Sequence, residues 1–256
     1  MFRRQESILQ PKSHTLFHFT KNISFLQDIL LNGFWPRFCL EDASWYGYSG
    51  TKYYLAYPMV CFCDIPLSRV DQHVQFYGNY GIGVTRTWAE SNGLSPVLYL
   101  RESSQQHVAL NNLILENLDG KNYAKSSDDI NTLLAHIKPT FGTMKLGNEL
   151  IDKEFYQENE WRYSITKEHK TKQVAQWLSE EDFRNSEILE IENTKTKNHE
   201  SLKILPSDIK YLFVKTDSDI PELVNFIQTK LDHYPSHDVK ILLSRIISLE
   251  TISRDL

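Results

Sequence analysis

Cysteine, proline and glycine are all scarce in this chain of 256 residues, which holds three, nine and ten of them. The cysteines, at 39, 61 and 63, are too few and wrongly placed for a disulfide scaffold. They show no CxxC spacing of the kind that holds zinc. No Gly/Ser or Pro-rich linker and no fixed-period repeat is present, which excludes solenoids and beaded domains. No stretch approaches the roughly 18–20 apolar residues of a membrane-spanning helix. The opening MFRRQESILQPKSH is basic but lacks an apolar core and a cleavage pattern, so no secretory leader is expected. A reducing, cytoplasmic setting with no membrane partner follows as the expectation. A formal net charge of −5 excludes a uniformly basic surface and leaves room only for a local basic patch. What the chain does have is 41% apolar and 12% aromatic residues, ample for a packed core.

Read along the chain, Thr15–Thr20 has the pattern of a short strand. A helix follows, with Asn22 or Ser24 as cap and Ile23, Leu26, Ile29 and Leu30 in one stripe, stopped at Asn32-Gly33. Residues 34–57 read as an irregular, aromatic-rich wall or lid holding Trp35, Trp45 and several tyrosines. Pro58–Cys63 is an unbroken apolar, β-prone run closed by Asp64-Ile65-Pro66 and reads as a buried strand. Helical character over 67–76, a turn at 77–81 and a strand at 82–85 come next. A short helix spans 87–91 and a strand 96–100, followed by helical periodicity over 104–118 and 127–137. Residues 156–165 alternate as one strand. The polar stretch 166–203 reads as an insertion or hairpin. Strand 209–214, a helix opened by Asp219 and Pro221, and an apolar segment 239–252 close the chain. Mixed elements without regular βαβ alternation indicate α+β. The expectation is a single domain over 1–256, with a core at 14–165, an insertion or hairpin at 166–208 and a strand–helix completion at 209–256.

Strand alternation assigns each chemically odd residue to a face. Phe17 and Phe19 share one face of the first strand; Leu16, His18 and Thr20 share the other. Phe62 and Asp64 share a face, with Cys61 and Cys63 opposite. Trp161, Tyr163 and Ile165 oppose Glu158, Glu160 and Arg162. If the polar faces converge, His18, Thr20, Asp64, Glu158, Glu160 and Arg162 line one cleft. Each also has an ordinary structural reading: a hydrogen-bonded histidine, a turn aspartate before proline, a solvated strand face.

The ordered set HFT (18–20), MVCFCDIPLS (59–68), YGNYGIG (77–83) and ENEWRY (158–163) resembles the AbiGi-type abortive phage-infection family. The Phe17-His18-Phe19-Thr20 opening with its helix is also similar to DarT-like and histidine-type ADP-ribosyltransferases. That second resemblance implies a split β-sheet with flanking helices that takes NAD as substrate. It gives His18, within His18-Phe19-Thr20, the nicotinamide-side ribose. Phe62, Tyr77 or Tyr80 stacks on nicotinamide, Ser68 contacts the carboxamide, and Glu160 is the catalytic carboxylate. The middle site residue departs from the family pattern, with a cysteine or phenylalanine where a tyrosine is usual.

The chemistry so implied is oxocarbenium-like, and a carboxylate on the ribose 2-hydroxyl strengthens its grip as charge develops on the ring. Arg162 on the same face keeps Glu160 ionised, and Glu158 is a second candidate for orienting an acceptor. The main expectation is therefore a mono-ADP-ribosyltransferase acting as toxin or effector in phage defence. Its acceptor is a nucleic acid (RNA or DNA) or a protein, with Lys167, Lys170, Lys172, Lys195, Lys197 and Lys203 as possible phosphate contacts. The alternative is a non-catalytic antitoxin that binds a cognate partner protein. No metal-binding carboxylate cluster supports a nuclease. Apolar surroundings make Cys61 an inert core thiol, and Pro235 breaks the helical pair His233/His237.

Overall fold

The computed structural model describes residues 14–46, 53–118, 123–146, 149–165 and 174–255. It is a mixed α+β chain with a multi-strand sheet and flanking helices. The first half runs β1 (Thr15–Thr20), α1 (Ile23–Asn32), β2 (Arg37–Asp42), β3 (Tyr54–Cys63), α2 (Val70–Tyr77), β4 (Tyr80–Thr85), α3 (Arg86–Ser91), β5 (Ser95–Pro96) and β6 (Leu98–Leu100). The middle holds α4 (Gln105–Leu118), α5 (Tyr123–Leu134), β7 (Ile137–Pro139), β8 (Gly142–Leu146), β9 (Glu149–Lys153) and β10 (Glu160–Ser164). Then come β11 (Leu178–Ser179), α6 (Glu180–Arg184), α7 (Ser186–His199), β12 (Ile209–Val214), α8 (Ile220–Lys230), α9 (Ser236–Leu243), β13 (Ile246–Ser248) and α10 (Leu249–Asp255). The chain divides into two compact units: residues 1–27, 63–89 and 205–256 form the first, residues 28–62 and 90–204 the second.

The first unit orders its strands β13-β12-β4-β1. β4 pairs antiparallel with β1 (Leu16↔Val84, His18↔Ile82, Thr20↔Tyr80) and with β12, while β12 and β13 are parallel. Phe17 and Phe19 point into a core with Phe213, Val70, Val74, Leu249 and Ile252, as their alternation predicts. Opposite these rings β4 carries Gly83 and Gly81. A Cβ at Gly81 would stand 2.5 Å from the Phe19 ring, so the missing side chains are the room the rings occupy. Gly78 turns α2 into β4 with φ of 117°, a conformation closed to most side chains, and a Cβ there would strike the Thr20 carbonyl at 2.2 Å.

In the second unit β2 and β3 pair antiparallel from Arg37↔Met59 to Asp42↔Tyr54. This corrects the reading of 34–57 as irregular. Residues 47–52 lie outside the described set, but ten of the eighteen described residues of the stretch are paired strand, and Tyr57 is core. β11 takes the other edge of β3 through Leu178↔Ala56. β10 also neighbours β3, and β5 pairs with β10. One side of this sheet packs Leu55, Tyr57 and Met59 against Leu110 of α4, Leu134 of α5 and Ile137. The other packs Phe38, Ala56 and Leu178 against Phe183 and Leu189. Those last two residues belong to α6 and α7, so the described part of the stretch expected as an insertion or hairpin at 166–203 is mainly two helices, not a hairpin. Ser179 caps α6 by accepting from the Asp182 amide, and Asn185 caps α7 by accepting from Glu187 and Ile188.

Candidate functional site

The residues expected to form one cleft divide between the units. His18, Phe19, Thr20, Asp64, Ser68, Tyr77 and Tyr80 belong to the first; Phe62, Glu158, Glu160 and Arg162 belong to the second. Within the first unit they are dispersed among local contacts. Asp64 is buried in an ion pair with Arg86 at 2.5 Å. The Thr20 hydroxyl donates to the Asn22 carbonyl at the start of α1. Tyr80 donates to Asp219 at 3.4 Å, and Tyr77 stacks on His73 with ring centres 4.5 Å apart. Phe19 is core, Ser68 is exposed, and His18 is half-buried opposite Ile82. Both neighbours of His18 on its strand face, Leu16 and Thr20, are buried. That face of β1 is therefore not a polar opening along its length.

The second unit brings Glu158, Glu160 and Arg162 together, while Phe62 packs edge-on against Phe34 with ring centres 5.0 Å apart. The strand expected over 156–165 begins only at Glu160. Residues 155–158 form a 3-10 turn, and Asn159 takes a left-handed φ of 45°, which a short polar side chain tolerates. The turn brings Glu158 to Lys138 alongside Glu160 without its being a strand residue. Glu160 and Arg162 do alternate onto one face of β10, as predicted, but that face is buried, not solvated.

All five N–H donors of Arg162 are used. Nε donates to Glu160 at 2.5 Å; Nη1 donates to Glu41 at 3.0 Å and to the Ala135 carbonyl at 2.8 Å. Nη2 donates to Glu41 at 2.5 Å and to Glu160 at 3.4 Å. Lys138 Nζ lies 2.9 Å from Glu160 and 3.1 Å from Glu158, over the face of the Phe155 ring. Lys153 closes the chain on Glu158 at 2.6 Å. The backbone N–H of Glu160 donates to the Tyr99 hydroxyl, and the Cys61 thiol bonds the Glu160 carboxylate. Three carboxylates thus meet three cations in a ladder Glu41–Arg162–Glu160–Lys138–Glu158–Lys153 with no net charge.

Burial alone would raise the Glu160 pKa. Arg162 and Lys138 more than offset it and hold the carboxyl far below its ordinary value. Glu158 follows the same pattern, with burial opposed by Lys138 and Lys153 and the balance downward. Burial pulls against the Arg162 charge, but Glu160 and Glu41 fix it as a cation. Burial, aided by the Glu160 charge, pushes the Cys61 thiol well up. Cys39, though its residue is open to solvent, is pushed up to about 11, first by surrounding protein and then by Glu41. Neither is a nucleophile near neutral pH.

Glu41, Lys138, Lys153 and Tyr99 were not expected at this site. Lys138 between Ile137 and Pro139 carried a faint signal, a lone charge in an apolar setting; the others carried none. Lys167, Lys170 and Lys172 lie outside the described residues. Lys195 pairs with Glu192, Lys197 sits 5.5 Å over the Trp35 ring, and Lys203 donates to the Asn32 carbonyl. His233 precedes α9, with Pro235 at that helix's cap, so the two histidines share no helix face. Among the described residues no cluster of three or more His, Cys, Asp and Glu could hold a metal, and no helix is long and apolar enough to cross a membrane.

Comparison with known proteins yields a family match and a relative. The family model described as "Putative abortive phage resistance protein AbiGi, antitoxin" matches residues 32–215. That range includes all six members of the ladder and starts after His18. A curated relative from Lactococcus lactis subsp. cremoris, "Abortive phage resistance protein AbiGi", is 30% identical over 222 residues, covering 77% of this chain and 88% of the relative. No solved structure matches.

Proposed function

This chain belongs to the AbiGi family of abortive phage resistance proteins, and from that premise we propose that it serves as an antitoxin. It restrains a growth-arresting protein partner by binding it. The observation that carries this reading is the closed ladder of the second unit. A catalytic carboxylate in NAD cleavage must offer a lone pair to a ribose hydroxyl and tighten on it as charge develops. Glu160 already accepts from Arg162 twice, from Lys138 and from Cys61. Breaking these contacts to admit a sugar would strip a buried arginine of its partner, at a cost of several kcal/mol. The ladder is suited to fixing β10 and the turn before it in place, as a rigid frame for recognition.

The rival reading keeps the chain as the effector: a mono-ADP-ribosyltransferase with NAD as substrate and a nucleic acid or protein as acceptor. Growth separates the two. Induced alone in a bacterial host, an antitoxin leaves both growth and cellular NAD unchanged. Arrest with loss of NAD, relieved by His18→Ala as well as by Glu160→Gln, would replace the antitoxin reading with the transferase.

A further inference from the structure

We infer that the outward face of α4 is a self-association surface on which a second copy of this chain docks antiparallel. The helix sits on the second unit's sheet through buried Leu110 and partly buried Ile114, and its buried His107 stacks on Trp45. At 100° per residue the opposite arc holds Gln105, Val108, Ala109, Asn112, Leu113, Leu115 and Glu116, and all seven are exposed. Val108 is 51% and Leu113 52% exposed. A solvent-facing arc ordinarily carries several charges; here Glu116 is the only acidic or basic residue among the seven.

The order of residues on that arc fits its own reverse. A two-fold axis crossing the helix between Leu110 and Asn111 sets Val108 against the partner copy's position 113 and Ala109 against its position 112. It also sets Gln105 against its position 116. Those pairs are Val with Leu, a small residue with an amide, and an amide donor with a carboxylate. A two-fold contact brings a face onto itself, so a charged face repels its copy. This one meets no like charge, and the Glu116 carboxylate finds an amide N–H. A helix of this length runs about 21 Å, so the contact falls near the lower limit for specific interfaces, on the order of 1,000 Å² in total. Contacts of that size belong to weak, transient associations.

Sedimentation velocity of the full chain from about 1 to about 100 μM brackets such an equilibrium. The expected result is a concentration-dependent shift from monomer to dimer. Gln105→Lys places an ammonium opposite each copy's Glu116 and tightens the dimer by on the order of tenfold over the two equivalent contacts. Gln105→Glu opposes two carboxylates and loosens it by a similar factor. A glutamate at the first turn favours the helix itself, so an unchanged far-UV circular dichroism spectrum and melting curve show that the loss is not unfolding. A wild-type chain that stays monomeric throughout overturns the inference. So does a dimer whose Kd is the same in both Gln105 variants.

Discussion

Replacing Glu160 by glutamine is the most informative single perturbation of the second unit. The side chain keeps its shape and loses one negative charge, leaving two carboxylates against Arg162, Lys138 and Lys153. The new amide also turns an NH2 toward groups that are themselves donors. Removing one partner from a buried, hydrogen-bonded ion pair costs about 3–5 kcal/mol, far more than an exposed pair would. In a unit of about 150 residues that corresponds to a fall in melting temperature of about 6–20 °C.

The pH dependence makes the test sharper. Glu160 is depressed below its ordinary 4.5 in the folded chain. Its contribution is therefore fully present above about pH 4.5 and is lost as pH falls toward the folded value. Wild type loses this contribution in acid and the glutamine variant has none to lose, so the gap between their melting curves is widest at pH 7 and narrows below about pH 4.5. Melting followed by circular dichroism from about pH 3 to about pH 8 reads both. Equal melting temperatures at pH 7, or a gap that does not narrow in acid, would refute the ladder's structural role.

Other perturbations test other parts of the structure. Gly81→Val forces a branched side chain into the Phe19 ring and is expected to cost at least about 1–3 kcal/mol in the first unit, measured by urea titration. Asn185→Ala removes the cap that accepts two amide protons at the start of α7. About 1 kcal/mol is expected, with no change in the first unit. Native Cys61 should resist iodoacetamide at pH 7.5 and react once unfolded, because burial holds the thiol protonated. Mass mapping of labelled peptides decides that.

Elements carried by local pattern were readable from residues alone. The stripe of α1 with its glycine stop, the inward Phe17 and Phe19, and the shared face of Glu160 and Arg162 all follow from periodicity. What escaped was non-local. Glu41 lies 121 residues from the arginine it grips, and Lys138 lies 22 from Glu160. Without those partners the polar face of β10 resembles a solvated edge. The same polar face hid β2: Arg37, Cys39 and Glu41 alternate with Phe38 and Leu40, but the alternation loses its contrast when the polar side faces buried charges. The α6–α7 pair does carry a local signal, since Ser179 followed three residues later by Asp182 is a helix start.

A buried, balanced ladder also separates scaffold from chemistry. Well-packed apolar groups often replace buried ion pairs without loss of stability. A variant carrying Glu41→Leu, Glu160→Leu, Lys138→Met and Arg162→Met removes two charges of each sign and leaves Lys153 paired with Glu158, as in the wild type. It should melt within a few °C of wild type, unlike the single Glu160→Gln change, because no charge is stranded. If the ladder is only a frame, this variant still protects a host against the growth-arresting partner. A variant that folds as well as wild type yet fails to protect would mean that the charges themselves meet the partner or a substrate, and that the frame reading is wrong. Co-expression growth curves beside melting curves give both halves of that comparison. The outcome turns on whether Glu160 and Arg162 matter for their charge or for the position they give β10.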